Sequence, residues 1–245
     1  VLNTQYWENR GGVFYRYKGE TFYTVTPIPF YYKRRALLLK LIAPLIENDA
    51  VKDICDFGCG DGFYLKYFEN LYPSKSYYGL DISNAMLERA KTAAPFATLQ
   101  VSDRGINFEN NFDLVYAIAV FAHIKDNLIP ALFANIYEHL KSGGLFVFFD
   151  QTGTKSRSGE TWHRRTTWEY MRFAEDAGFN IEKRKLIAFP AHRIFERRIA
   201  PYYQRHFVKG ADSHERSINA NRSFLFKIMS NLFLNFSKKP YRNDE

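Results

Sequence analysis

The sequence predicts an α/β fold built on a doubly wound parallel sheet. Three observations carry that prediction. Strand and helix periods alternate from about residue 53 to residue 178. The strand segments are short and apolar on both faces, as strands covered by helices on both sides are. A loop with glycine at every second place, Gly58, Gly60 and Gly62, closes the first strand behind the acidic Asp56. The βαβα order implies a ligand crevice at the carboxyl ends of the strands.

Residues 1–30 are aromatic and irregular, with Tyr6, Trp7, Tyr15 and Tyr23 among them, and read as a lid or an N-terminal wrap. From 31 to 47 the pattern turns helical: Leu37, Leu38, Leu41, Ile42 and Leu45 share one face, and Pro44 disturbs its end. Strands are expected at 53–57, 76–80, 97–101, 112–117 and 145–150, and helices at 62–71, 84–92, 127–140 and 167–178. Lys141-Ser142-Gly143-Gly144 reads as a helix stop and a turn into a strand. Residues 180–188 alternate like a strand, 192–199 could be another, and 201–222 show no clear period. Residues 223–237 then form an amphipathic helix, with Phe224, Leu225, Ile228, Met229, Leu232, Phe233 and Phe236 on one stripe.

The chain's 245 residues suffice for one sizeable α/β domain with additions. Its aromatic content, 18%, is high, and such residues fill cores but also line pockets and partner-facing surfaces. The net charge of +8 favours anionic partners: phosphates, nucleotide sugars, acidic glycans, nucleic acid or lipid headgroups. Cys55 and Cys59 have no further cysteine to complete a zinc site, and read as small reduced residues in a tight backbone. A reducing cytoplasm is the expected setting. No signal peptide is visible, and the apolar run 114–124 is too short to span a bilayer.

The glycine loop carries the chemistry. Glycines let the backbone turn sharply and approach a ligand with no Cβ in the way, and the helix that follows offers free N–H groups. A dinucleotide fingerprint would need a third glycine where Phe63 stands. Asp56 would also set a negative charge against a pyrophosphate, whereas it suits the ammonium of an amino-acid moiety. The expected ligand is therefore a nucleoside with a cationic amino-acid tail rather than NAD. Asp81, which ends the second strand, can accept both ribose hydroxyls; Ile82 and Met86 can pack on an adenine, and Ser102 and Asp103 can meet its edge.

At these residues the chain resembles the class I S-adenosylmethionine-dependent methyltransferases. Asp56-Phe57-Gly58-Cys59-Gly60-Asp61-Gly62 is similar to the family's glycine motif and Leu80-Asp81 to its ribose acid. The run from Phe112 to Ala117 is similar to its fourth-strand motif and the run from Leu140 to Gly144 to its turn before strand five. The resemblance covers roughly residues 30–188 and implies a Rossmann-like sheet of seven-strand type with S-adenosyl-L-methionine as cofactor, held by Asp56, Gly58, Cys59, Gly60, Asp81, Ile82, Met86, Ser102, Asp103 and Ala117. The domains are then a lid over 1–30, a methyltransferase domain over 31–199 and an extension over 200–245.

Asp113 begins the fourth strand, where a structural role is at least as fitting as a ligand role. His123, after that strand, is the base candidate, since a neutral imidazole can take a proton from a hydroxyl; a pocket-shaping histidine fits equally well. The stretch from Val120 to Ile124 is similar to one in chain-terminating methyltransferases of bacterial O-antigen polysaccharides. Asp150 ends strand five, to pair with His123, orient a hydroxyl or cap the strand. His163, Arg164 and Arg165 could clamp an anionic acceptor or form a solvated basic loop, and Tyr23, with Tyr6, Trp7 and Tyr15, could close over the cofactor or equally pack on the first helix.

The final helix fits a peripheral contact at the inner face of a membrane, though packing on its own domain or a second subunit is the commoner use of such a stripe. No Asn-Pro-Pro-Tyr or Asp-Pro-Pro-Tyr run follows strand four, which argues against methylation of exocyclic base amines. No acidic pair follows strands four and five in the arrangement of metal-dependent enzymes, so no metal is expected. The expected activity is methylation of an oxygen on a sugar or surface polysaccharide. The alternatives are N- or O-methylation of a small metabolite or lipid-like quinone precursor, and a cofactor-binding module without turnover. Nucleic acid ranks below these, for want of a recognition motif beside the basic charge.

Overall fold

In a computed structural model the described residues are 7–8, 15–17, 20–22, 28–159, 162–188, 198–207 and 241–243. The chain divides into two compact units, Val1–Gly11 with Lys40–Ile181 and Gly12–Leu39 with Glu182–Glu245.

The helix α1 (Ile28–Glu47) buries Arg35, Leu38, Ile42 and Ile46, spaced for one helical face. Pro44 lies inside it without ending it. Then come β1 (Asp53–Phe57), α2 (Phe63–Leu71), β2 (Ser76–Asp81), α3 (Asn84–Ala93), β3 (Thr98–Val101), β4 (Phe112–Ile118), α4 (Ile129–Glu138), β5 (Leu140–Phe149) and α5 (Thr167–Asp176). The strands form one parallel sheet in the order β3-β2-β1-β4-β5. The order reverses between β1 and β4, and ligands of doubly wound sheets bind at that switch point. Where a seven-strand type was expected, five strands make this sheet among the described residues.

Alternation along the strands sorts the core. Cys55, Phe57, Val115 and Ala117 join one cluster with Ile129, Leu132, Phe133 and Ile136 of α4 and Tyr170 and Ala174 of α5. Much of the aromatic surplus is here: Phe121 packs on Phe57, Phe133, Phe146 and Phe148, with ring centroids 5.0–6.0 Å apart. On the other face Phe68 of α2 meets Tyr116 edge-on. Gly79 of β2 is small of necessity, because a Cβ there would come within 2.8 Å of Leu65 Cδ1 and 3.0 Å of Cys59 Sγ.

The strand expected to start at 145 starts at Leu140. Phe112 pairs with Leu140 but Leu114 with Leu145, so the glycine turn is absorbed as a bulge inside β5, with Gly143 in the left-handed region at φ 75°. Helix α4 accordingly ends at Glu138, and two 3-10 turns (Phe121–His123 and Asp126–Leu128) precede it. After β5 a short hairpin pairs Arg157–Ser158 with His163–Arg164, and α5 starts on a capping box of Thr166 and Glu169.

In the second unit, Tyr15–Tyr17 pairs antiparallel with Glu20–Phe22, and Leu186–Ala188 with Tyr241–Asn243. Of the strand expected at 180–188 only these last residues pair; Lys183 and its neighbours are irregular. Residues 192–197 and the helix expected at 223–237 lie outside the described residues, while Arg198 and Ile199 are helical rather than extended. Ala200–Phe207 is a helix, and most of it lies in a stretch that showed no period. Among the described residues no helix is long and apolar enough to cross a membrane.

Candidate functional site

The carboxyl ends of β1, β2 and β4 frame a cavity of about 220 Å³. Gly58 and Gly60 line it from the loop after β1, Asp81 and Ile82 from the end of β2, Met86 from α3, and Ser102 and Gly105 from the loop after β3. Ile118 at the end of β4 closes it with Ala119, Val120 and His123 beyond, and Trp7 lines it from the N-terminal segment. Gly58 has φ 79°, and a Cβ there would lie 2.5 Å from a Val120 methyl, so the loop tolerates no side chain at that point.

The loop is tied to β2 by its amides. The N–H groups of Gly58 and Cys59 donate to the Leu80 carbonyl at 2.8 and 2.9 Å. Gly60 N–H donates to Asp81 Oδ2 and Ser83 N–H to Asp81 Oδ1, both at 2.9 Å. Both carboxylate oxygens thus accept from the backbone, and an oxygen's second lone pair can serve a ligand hydroxyl. Burial raises the Asp81 pKa, the amides of Ser83, Gly60 and Ile82 pull it back, and the charge of Glu8 adds to the rise. Glu8 itself accepts from the first amides of α3, Asn84 at 2.6 Å and Ala85 at 3.2 Å. This places a carboxylate at the positive end of a helix.

Asp56 is 2% exposed and its Oδ2 has no hydrogen-bond partner. Burial drives its pKa well above the carboxylate range; the neighbouring Tyr116 hydroxyl opposes this, and the charges of Asp81 and Asp61 reinforce it. The register explains the neighbourhood, since Asp56 stands opposite Tyr116 on one side and Gly79 on the other. An orphaned buried carboxylate oxygen beneath a glycine loop favours a cationic ligand group.

The turn after β4 is held by long-range bonds. Ala119 has φ 59°, the left-handed region that alanine rarely takes, and its N–H donates to the Phe149 carbonyl. Asp150 accepts from Ala122 N–H and Gln151 N–H, each at 2.8 Å. Arg165, 1% exposed, donates through Nε to Asp126 at 2.8 Å and through its two terminal nitrogens to the carbonyls of Phe121 and Ile124 at 2.6 and 2.5 Å. His123 stands on this clamped turn with its ring edge against Trp7, centroids 4.8 Å apart at 86°.

A family model described as a methyltransferase domain matches residues 30–188. The chain belongs to this methyltransferase family. It is 32% identical over 104 residues to a trans-aconitate 2-methyltransferase of Deinococcus radiodurans, covering 42% of this chain and 39% of that protein. It is 29% identical over 128 residues to a carboxy-S-adenosyl-L-methionine synthase of Campylobacter jejuni, covering 51% of this chain and 54% of that protein. The chain thus spans about half or less of the length of these curated relatives. Its fold is similar to that of an O-methyltransferase from a Brevibacillus brevis trans-AT polyketide synthase in complex with S-adenosyl-L-homocysteine (19% identity, TM-score 0.61, 87% of this chain and 73% of that one).

The residues of the methyltransferase site fit S-adenosylmethionine. Asp81 offers acceptors for the ribose, Ile82 and Met86 are apolar walls for the adenine, and Asp56 is the orphaned counter-charge for the ammonium. Of the residues expected at the cofactor, the structure brings Gly58, Gly60, Asp81, Ile82, Met86 and Ser102 onto the cavity wall. Three expectations are corrected in place. Ala117 is buried in β4, which continues to Ile118, so the wall comes from the three residues after it. Cys59 is buried with its sulfur toward Gly79, and is not on the cavity wall. Asp103 is off the wall, its side chain about half exposed and 3.9 Å from Arg104. Asp56 lies beneath the loop, off the surface of the cavity.

On the acceptor side, His123 lines the cavity, whereas Asp150 does not: both its oxygens hold amides of the turn and the loop that follows β5. Arg165 does not face an acceptor either, because burial and four hydrogen-bond partners commit its guanidinium to the fold. His163 and Arg164 are half-buried, with His163 Nδ1 3.1 Å from Ser158 Oγ. Tyr23 lies outside the described residues. Glu8 and Gly105 escaped sequence reading, since neither stands in a local pattern that marks a site.

Proposed function

We propose that this chain transfers a methyl group to a hydroxyl oxygen of a sugar or glycan acceptor, with His123 as the base. The place of His123 carries the reading: its ring lines the same cavity as Gly58, Gly60 and Asp81, on a turn held from both sides. When bound, S-adenosylmethionine supplies an electrophilic methyl carbon on a sulfonium. The chain's own contribution is positioning. Asp81 and the loop amides fix the nucleoside, Asp56 favours the ammonium, and Trp7 sets the plane of the His123 ring. A ring nitrogen of His123 then takes the proton that the hydroxyl loses. Exposed Trp162 and Trp168 beside the hairpin after β5 are apolar platforms with a polar edge, suited to sugar rings.

The test is transfer of label from methyl-labelled cofactor to a panel of sugars, lipid-linked glycans and small organic acids. His123→Ala should lower kcat by about a hundredfold or more while binding of S-adenosylhomocysteine is kept. Inertness of every sugar and glycan overturns the glycan reading. A second reading, methylation of a small metabolite, is supported by the similarity to a trans-aconitate 2-methyltransferase, and label confined to small acids would establish it.

A further inference from the structure

We propose that Arg157 and Arg164 together bind an anionic group of the acceptor, a carboxylate or a phosphate. The register of the hairpin after β5 sets Arg157 directly opposite Arg164, and Ser158 opposite His163. Directly opposed residues share a face, with Cβ atoms about 5 Å apart, and like charges there destabilise the pairing. Each strand is two residues long, so the ladder itself offers little to offset that repulsion. An anion between the two guanidinium groups converts the repulsion into two charge-assisted contacts.

Among the described residues, the neighbouring acids do not fill this role. Glu169 is engaged with Ser156 and Thr166, Asp126 with Arg165, and Asp150 with backbone amides. Among the described residues, neither Arg157 nor Arg164 takes part in an ion pair, and Arg164 Nε is buried with no hydrogen-bond partner. Gly153 makes room for that group, since a Cβ there would stand 2.9 Å from Arg164 Nε. Arg165, one residue on, shows the contrast: its donors are met within the fold. Successive residues of a strand face opposite ways, so Arg165 points to the clamped turn while Arg164 is turned from it.

The location joins the pair to the chemistry. The His163–Arg164 strand packs against the Phe121–His123 turn, and Thr152 bridges to Arg165 where the chain leaves β5. An acid group held at the arginines would therefore lie beside the strand that packs on the His123 turn. That the anion belongs to the acceptor rests on the proposed methyl transfer; that the arginines bind an anion does not.

The experiment titrates the full chain, labelled with ¹⁵N at arginine, with inorganic phosphate and separately with malonate, against chloride at matched ionic strength. The Arg164 Nε–H resonance, assigned by its loss in Arg164→Lys, is expected to move saturably, with the Arg165 resonance unmoved. Arg157→Gln, at an exposed position, should weaken the tighter anion about tenfold. Tighter phosphate indicates a phosphorylated acceptor and tighter malonate a carboxylated one. A shift no larger than chloride gives, or an affinity unchanged in Arg157→Gln, overturns the site, and the second holds even if Arg164→Lys does not fold. Anion binding without methylation of any acceptor overturns the proposed function alone, and methylation without anion binding overturns this site alone.

Discussion

The two ends of the central sheet treat the same side chain in opposite ways. At the amino-terminal end, Asp53 and Asp113 share the ammonium of Lys141, at 2.6 and 2.9 Å, and Asp113 also accepts from the amides of Lys52 and Asp53. Burial pushes the Asp113 carboxyl up, but those amides and Lys141 together hold it below its ordinary value. At the carboxyl-terminal end, Asp56, Asp81 and Asp150 are all raised, in each case by burial first. Asp53 and Asp56 stand on one strand, three residues apart. The difference separates an end whose carboxylates are paired with a cation and tie strands together from an end whose buried carboxyls have no cation of the fold to pair with except Arg165 near Asp150.

The strongest way to break this comparison is at Asp81. Asp81→Ala removes the acceptor for Gly60 N–H and for the ribose, and should weaken S-adenosylhomocysteine by on the order of a hundredfold in calorimetry. An unchanged Kd would mean that the cofactor does not use this end of the sheet.

Asp150 sharpens it through pH. Its pKa is pushed up to about 6, by burial against the pull of Gln151, Ala122 and Arg165. The folded value exceeds the unfolded one of about 3.9, so folding binds the proton more tightly. Stability from this group is therefore present at low pH and lost as pH rises from about 4 to about 6. Asp150→Asn should remove that fall, on the order of 2 kcal/mol, in thermal melts across the window. A mutant curve parallel to the parent would show that Asp150 is not held protonated by the fold.

The smallest effect is expected at the other end. Asp113→Ala should cost about 1–2 kcal/mol of stability while leaving the Kd for S-adenosylhomocysteine unchanged. Its sign with pH is opposite: a lowered pKa contributes stability above the unfolded value, lost as pH falls through the folded one. A weakened Kd in this variant would show that the two ends are coupled.

Local patterns carried most of the fold. The first strand was legible to the residue because Ile54, Cys55 and Phe57 are buried within one short apolar run, and the glycine loop because its φ values demand glycine. Asp81 followed from standing at a strand end. The roles of Asp150 and Arg165 were not legible, since their partners lie 28 to 44 residues away and nothing in a run of charges marks which one turns inward. The same holds for Glu8, which reaches Asn84 across 76 residues.

The sequence by itself determined the class of sheet, the glycine loop and the acid for the ribose, because strand period and backbone conformation are local properties of the chain. Tertiary structure alone decided that Asp150 and Arg165 hold the His123 turn while Arg164 has no ion pair among the described residues, and that Asp113 binds strands while Asp56 Oδ2 stays orphaned. Burial and the choice of hydrogen-bond partner set a carboxylate's or guanidinium's role, and both arise only when distant segments meet.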